Sequence, residues 1–189
     1  LGGSLTALSL SQGSTRGVGT ALGLLAQHRA DGDPLWRAAA LLALDYLADS
    51  RADSGDYPDD HWALIASAEL ARIDGGISAS LREHTEVIAR QLLVRQDADG
   101  DFAGRRRAAP AATRLEALGA ALQVVEEPST RAAIHTAMAR GAAFLMHLQT
   151  RDGPYPGALR RGAVEASDRR HDELRIDDTQ HVLSVWLAQ

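Results

Sequence analysis

Cysteine is absent from this sequence, and so are lysine and asparagine, which makes every one of the 20 basic residues an arginine. Without a thiol there is no disulfide, no cysteine nucleophile and no thiolate zinc site. Without lysine there is no Schiff-base amine and no phosphate-loop lysine. Aromatic residues make up only 4% of the chain. No apolar run reaches the roughly 18 residues that span a bilayer, so no transmembrane segment is expected. A formal charge of -5, with no basic stripe, argues against a nucleic-acid partner. Strand-like alternation is nearly missing as well. What remains is the chemistry of Asp, Glu, His, Arg and the hydroxyls, with no cofactor and no metal expected.

The 189 residues, 45% of them hydrophobic, suffice for one domain with a sizeable core, so 1–189 is read as a single domain with an N-terminal arm at 1–14. Leu1 to Leu10 is mildly apolar but lacks a basic leader and an initiating Met, as expected of an interior start of a longer or processed protein. A soluble domain is expected. Its compartment stays open between the cytoplasm and the outside with a leader removed, and its oligomeric state is open too.

What is present is helical periodicity. Val18, Leu22 and Leu25, then Leu35, Ala39, Leu42 and Tyr46, recur at three- and four-residue steps. Pro34 and Pro128 suit first helical turns, and Asp59, Thr113, Ser129 and Asp177 suit caps or first-turn acceptors. The pattern predicts helices at 17–30, 34–50, 59–73, 78–96, 111–125, 129–149 and 177–189, an all-α fold. The longest connection, Thr150 to Ile176, is long enough for a lid or a binding loop.

A repeat runs through this pattern. Tyr46-Leu47, Arg51, Gly55 and Tyr57 have the spacing of Gln91-Leu92, Gln96, Gly100 and Phe102, and of Phe144-Leu145, Gln149, Gly153 and Tyr155. Each copy reads as a helix ending on an apolar knob. Gln or Arg then binds the last carbonyls or the next turn, Gly permits a tight reversal, and an aromatic plugs the gap between hairpins. The helices after these turns open alternately on acids and bases: Thr15-Arg16, Asp59-Asp60-His61, Thr113-Arg114 and Asp177-Asp178-Thr179. In an array of helical hairpins their N-termini would gather at one mouth, ringed by Arg16, Asp59, Asp60, Arg114, Asp177 and Asp178.

The third copy, led in by Arg140-Gly141, resembles the QW repeat of the squalene and oxidosqualene cyclase superfamily, with Tyr155 in place of the usual Trp. The likeness covers roughly 35–189, and Ile176-Asp177-Asp178-Thr179 resembles the end of that family's acidic segment. The resemblance implies helical hairpin repeats forming a partial or reduced α/α toroid, with Asp177 as the protonating acid. Arg175 replaces the motif's first Asp, and so few rings cannot line a carbocation cavity. The zinc site of the prenyltransferase branch needs a cysteine that this chain lacks. The architecture is therefore carried over and the reaction is not.

Asp177 and His181, four apart, share a helix face with Asp178 beside them, a spacing suited to acid/base work; a cap beside an inward-packed histidine fits as well. Asp59-Asp60-His61-Trp62 repeats the theme and adds a platform for a sugar ring, or is simply an acidic first turn before a core Trp. Arg114, with Thr113 and Glu116 nearby, suits either an anionic substrate group or a salt bridge to the acidic starts. Arg175 flanks the site, and Tyr155 either lines it or marks a rigid repeat corner. Asp97, Asp99 and Asp101 superficially resemble a calcium loop, but the later ligands do not follow. Arg105 to Arg107 and Arg160-Arg161 read as solvated patches, and His84, His135 and His147 as surface or partly packed. Two functions stand: an enzyme using paired Asp residues on a glycan or other polar small molecule, with His61 or His181 assisting, and a non-catalytic helical-repeat interaction module. Isoprenoid cyclisation comes third.

Overall fold

The computed structural model describes residues 15–102, 104, 106–163 and 170–187, with side chains from residue 19 onward. The expected arm at 1–14 lies outside the described residues. Seven helices are described, α1 (Thr15–Asp31), α2 (Pro34–Ser54), α3 (His61–Asp74), α4 (Ala79–Val94), α5 (Ala108–Ala121), α6 (Pro128–His147) and α7 (Ile176–Leu187). Among the described residues there is no β-strand, only isolated bridges. No helix is long and apolar enough to cross a membrane.

Local chemistry sets most boundaries. Pro34 and Pro128 open α2 and α6, where a missing N–H costs nothing. Asp33, Asp60 and Ser78 cap α2, α3 and α4 by accepting from backbone N–H groups two or three residues on. The cap of α3 is therefore Asp60 rather than Asp59. The cap of α6 is Glu127 rather than Ser129: its carboxylate accepts from the N–H groups of Ser129 and Thr130, which with their hydroxyls hold its pKa down to about 2. α5 starts earlier than the pattern predicts, because Pro110 falls in a first turn whose N–H groups lack partners anyway. It ends earlier because the Arg131 guanidinium donates to the carbonyls of Leu122 and Val125, at 2.5 and 2.8 Å, and draws the chain out of the helix.

The helices form two rows. α1, α3, α5 and α7 pack in sequence along one, and α2, α4 and α6 along the other, with α1–α2, α3–α4 and α5–α6 as hairpins between them. This all-helical arrangement is compatible with a helical repeat. Alanine makes the close packing possible: Ala63, Ala66, Ala111, Ala112 and Ala117 are fully buried, and Leu64, Leu115 and Phe102 fill the volume between rows.

The repeat's turns are also visible. Gly55, Gly100 and Gly153 all adopt left-handed backbone, with φ of 68°, 92° and 95°. Gln96 donates to the Gly100 carbonyl and, across to α6, to Ala137 at 2.8 Å, while Gln149 donates within its own turn. The three aromatics do not play one role. Phe102 is fully buried and Tyr57 half-buried, but Tyr155 is 64% exposed, which corrects the expectation that each plugs an inter-hairpin gap. Tyr46 is also exposed, so the knob of the first copy is the partly buried Leu47. The described parts of the long loop are stitched down by bridges from Gln149 to Leu159, Arg160 to Leu174 and Arg107 to Gly162, and Leu159 joins the core.

At Gly100 two constraints coincide, because a Cβ there would strike the Arg140 carbonyl of α6, whereas a Cβ at Gly55 meets nothing within 4 Å. Gly100→Ala is expected to cost about 3 kcal/mol or more and Gly55→Ala about 1 kcal/mol, read by denaturant unfolding. Equal costs at the two positions would show that the α6 contact is not what requires the glycine.

Candidate functional site

Most of the expected site residues sit on three helices of one row, at the N-terminal ends of α3 and α7 and, for Arg114 and Glu116, in the middle of α5 rather than at its start. Their surroundings differ sharply. Asp60 is fully buried, and besides capping α3 it accepts from Arg51 Nη2 at 2.7 Å. The other terminal nitrogen of Arg51 lies 3.0 Å from His84 Nε2. Guanidinium only donates, so Nε2 accepts and the His84 proton sits on Nδ1. Burial first, and the Arg51 charge second, depress the His84 pKa to about 4. The Tyr57 ring lies 5.9 Å from the His84 ring. Arg51 thus ties the end of α2 to the start of α3 and the middle of α4. His84, expected at the surface or only partly packed, is only 2% exposed; His135 and His147 are exposed.

Asp59 is gripped by Arg114, whose Nε and Nη2 both reach Oδ2, at 2.9 and 2.5 Å. Arg114 also donates to the Pro110 carbonyl, and its guanidinium stands 5.9 Å from the centre of the Phe102 ring. Arg95 approaches Asp59 to 3.7 Å. The guanidinium fork considered for an anionic ligand therefore holds a carboxylate of the chain itself. Asp177 is largely exposed and pairs with Arg175 at 3.1 Å.

Asp178 differs. It is 3% exposed, and its Oδ2 has no hydrogen-bond partner among the described residues. Burial and the neighbouring Asp177 charge raise its pKa, partly offset by Arg175, Arg161 and Arg107. One turn on, His181 Nδ1 lies 2.8 Å from Glu116 Oε2 on α5, so the imidazole is oriented by a carboxylate and its Nε2 is left as the acceptor while the ring is neutral. Glu116, considered beside Arg114, serves His181 instead. His61 lies 4.8 Å from the Trp62 ring; burial lowers its pKa against the pull of Asp60 and Asp59, with Arg114 and His181 adding to the lowering. Trp62 is half-buried against the core.

The structure thus brings together Asp59 with Arg114, and Glu116 with His181. It leaves Tyr155, Arg175 and Asp177 outward, and the side chain of Arg16 lies outside the described residues. The aspartates at 97, 99 and 101 are engaged within their own turn by Arg106 and by backbone N–H groups. Among the described residues no group of three His, Asp or Glu side chains is placed to hold a metal. Sequence reading missed the Arg51–His84 contact, although Arg51 standing at a Gln position of the repeat was a signal that this turn is built differently.

Compared with models of known protein families, with curated proteins and with solved structures, the chain finds no match.

The buried histidine predicts a pH dependence. Above pH 6.5 His84 is neutral in the folded and the unfolded chain, and its contribution is complete. Between 6.5 and about 4 only the unfolded chain takes up the proton, so stability falls as pH falls, by on the order of 3 kcal/mol in all. Chemical denaturation of wild type and His84→Gln at pH 7.5 and 4.5 checks this. The variant should lose less on acidification, and parallel losses would place the titration elsewhere.

Proposed function

We propose that this chain is a non-catalytic interaction module built from helical hairpins, arranged as a partial α/α toroid whose helix-opening acids fasten the hairpins together. The observation that carries this reading is the closure of two of the four candidate acids by arginine: Asp60 by Arg51 and Asp59 by Arg114. A carboxylate oxygen engaged by a guanidinium of a neighbouring helix suits a fastener better than a nucleophile. Both acids also link separate helices, α2 to α3 and α3 to α5. Neither of two surface clefts, one lined by residues of the α3–α4 and α5–α6 turns and the other by α7, is lined by these acids.

A second reading has its own support in the Glu116–His181 pair with the under-partnered Asp178 nearby. A carboxylate-oriented imidazole can act as a general base, and Asp178 with its raised pKa can act as an acid, on a polar uncharged substrate such as a glycan, with Trp62 as a stacking surface. Under this reading His181, Glu116 and Asp178 replace the paired aspartates as the working groups.

Two substitutions separate the readings. Asp60→Asn strips a buried arginine of its counter-ion, and a loss of about 3–5 kcal/mol is expected, visible as a fall in Tm with no change in helix content at low temperature. An unchanged Tm would remove the fastening role. His181→Ala is expected to leave the chain without any change in activity, because wild type should not turn over a panel of chromogenic glycosides between pH 5 and 8. Turnover by wild type that His181→Ala abolishes would replace the module reading with the enzymatic one.

A further inference from the structure

We infer that the cleft between the α3–α4 and α5–α6 turns is a binding site for a small organic acid, with the guanidinium of Arg131 as the group that takes its carboxylate. The cleft has a volume of about 400 Å³, within the range of small-molecule sites. Gly75, Gly76 and Ile77 line it from one turn, Gln123, Val124 and Glu126 from the other, and Arg82 of α4 and Arg131 of α6 line it as well. Neither Asp59 nor Asp60 belongs to this lining, so the site goes beyond the interaction-module reading and does not depend on it.

Arg37, Arg82 and Arg131 are each the fourth residue of their helix, the equivalent place in α2, α4 and α6. Their partners differ. Arg37 grips Asp74 as a fork, Nε to Oδ1 at 2.5 Å and Nη2 to Oδ2 at 2.6 Å. Arg82 pairs with Glu126. Arg131 has no carboxylate partner among the described residues: its Nη1 donates to the carbonyls of Leu122 and Val125, which fixes the guanidinium in place without neutralising its charge. The edge formed by its Nε and Nη2 makes no hydrogen bond among the described residues and is not buried. That same edge takes a carboxylate twice elsewhere in the chain, in Arg37 on Asp74 and in Arg114 on Asp59. A third carboxylate, brought by a ligand, fits it by the same geometry.

The surrounding charges allow an anion there. The lining carries two arginines and one glutamate, and the Glu126 side chain is 74% exposed, so its pair with Arg82 is a surface pair that yields readily to a better-placed anion. Of the acids just outside the lining, Asp74 is neutralised by Arg37, and the Glu127 carboxylate is spent on the N–H groups of Ser129 and Thr130, where the helix dipole offsets its charge. Ala71, Ile77 and Val124 suit a short hydrocarbon body, which an organic acid has and a bare inorganic anion lacks.

Titration with succinate at constant ionic strength, followed by the backbone amide resonances, tests this. Saturable shifts centred on Gly75, Gly76, Ile77 and Arg131 are expected, with a Kd of about 1 mM or lower, and none with the uncharged succinamide. Arg131→Gln should weaken binding about 10-fold or more, and Glu126→Gln, which removes the competing carboxylate, should tighten it about 3-fold. Because Arg131 also ends α5, Gly76→Leu supplies a variant that leaves that contact alone. Gly76 is not in left-handed backbone and a Cβ there meets nothing within 4 Å, so the added side chain enters the cleft and should abolish binding with helix content and Tm unchanged. The inference is overturned by an absence of saturable shifts with succinate, or by shifts that survive Gly76→Leu. Inorganic phosphate binding as tightly as succinate overturns it too, since charge alone would then account for the site.

Discussion

The guanidinium of Arg51 is the point on which the hairpin array turns. It stands where the chain leaves α2, and from there it binds the residue that caps α3 and the one histidine that α4 buries. Each of these groups is costly alone. A buried arginine needs an anion, a buried aspartate needs a cation, and a histidine inside a protein must remain neutral or find a carboxylate. Together they satisfy most of one another's requirements, and doing so fixes three helices at a single place. The first repeat copy departs from glutamine at this position because a glutamine amide, which Gln96 uses to reach a carbonyl on α6, could not have neutralised Asp60.

The same logic extends along the inner row. Arg114 of α5 holds Asp59 of α3, and Glu116 of α5 holds His181 of α7. Side chains from the middle of α5 thereby reach the start of α3 and the second turn of α7. The backbone can come close because helices meet through small residues, alanine within a row and glycine between the rows. Gly141 of α6 faces Leu115 of α5 without room for a Cβ, and Gly100 lies directly on the backbone of α6. Close packing and polar fastening depend on each other here, since a larger residue at the contacts would pull the charged groups out of reach.

Much of the fold was legible because its causes are local. Helix type follows from apolar spacing, and Pro34, Pro128 and the glycines at 55, 100 and 153 mark starts and reversals through their own backbone preferences. The misreadings come from competition between neighbouring groups and from packing. Glu127 outcompetes Ser129 as a cap by reaching two N–H groups at once. Arg131, a residue of the next helix, ends α5. Tyr155 and Phe102 occupy equivalent places in the repeat, yet one lies on the surface and the other in the core. The pairings among the residues singled out are not written in their spacing: Glu116 stands two positions from Arg114 in sequence, and on a helix that directs the two side chains to different neighbours.

From its sequence alone this protein was determined to be helical, without thiol or lysine chemistry, and supplied with acids at the starts of two of its helices. Those properties belong to single residues and to their spacing along one chain. Which acid meets which arginine and which histidine is buried were decided by tertiary structure. Charges and apolar faces become pairs, orphans or free surfaces only when helices far apart in sequence come within a few ångströms, and that choice depends on how closely small residues let them approach.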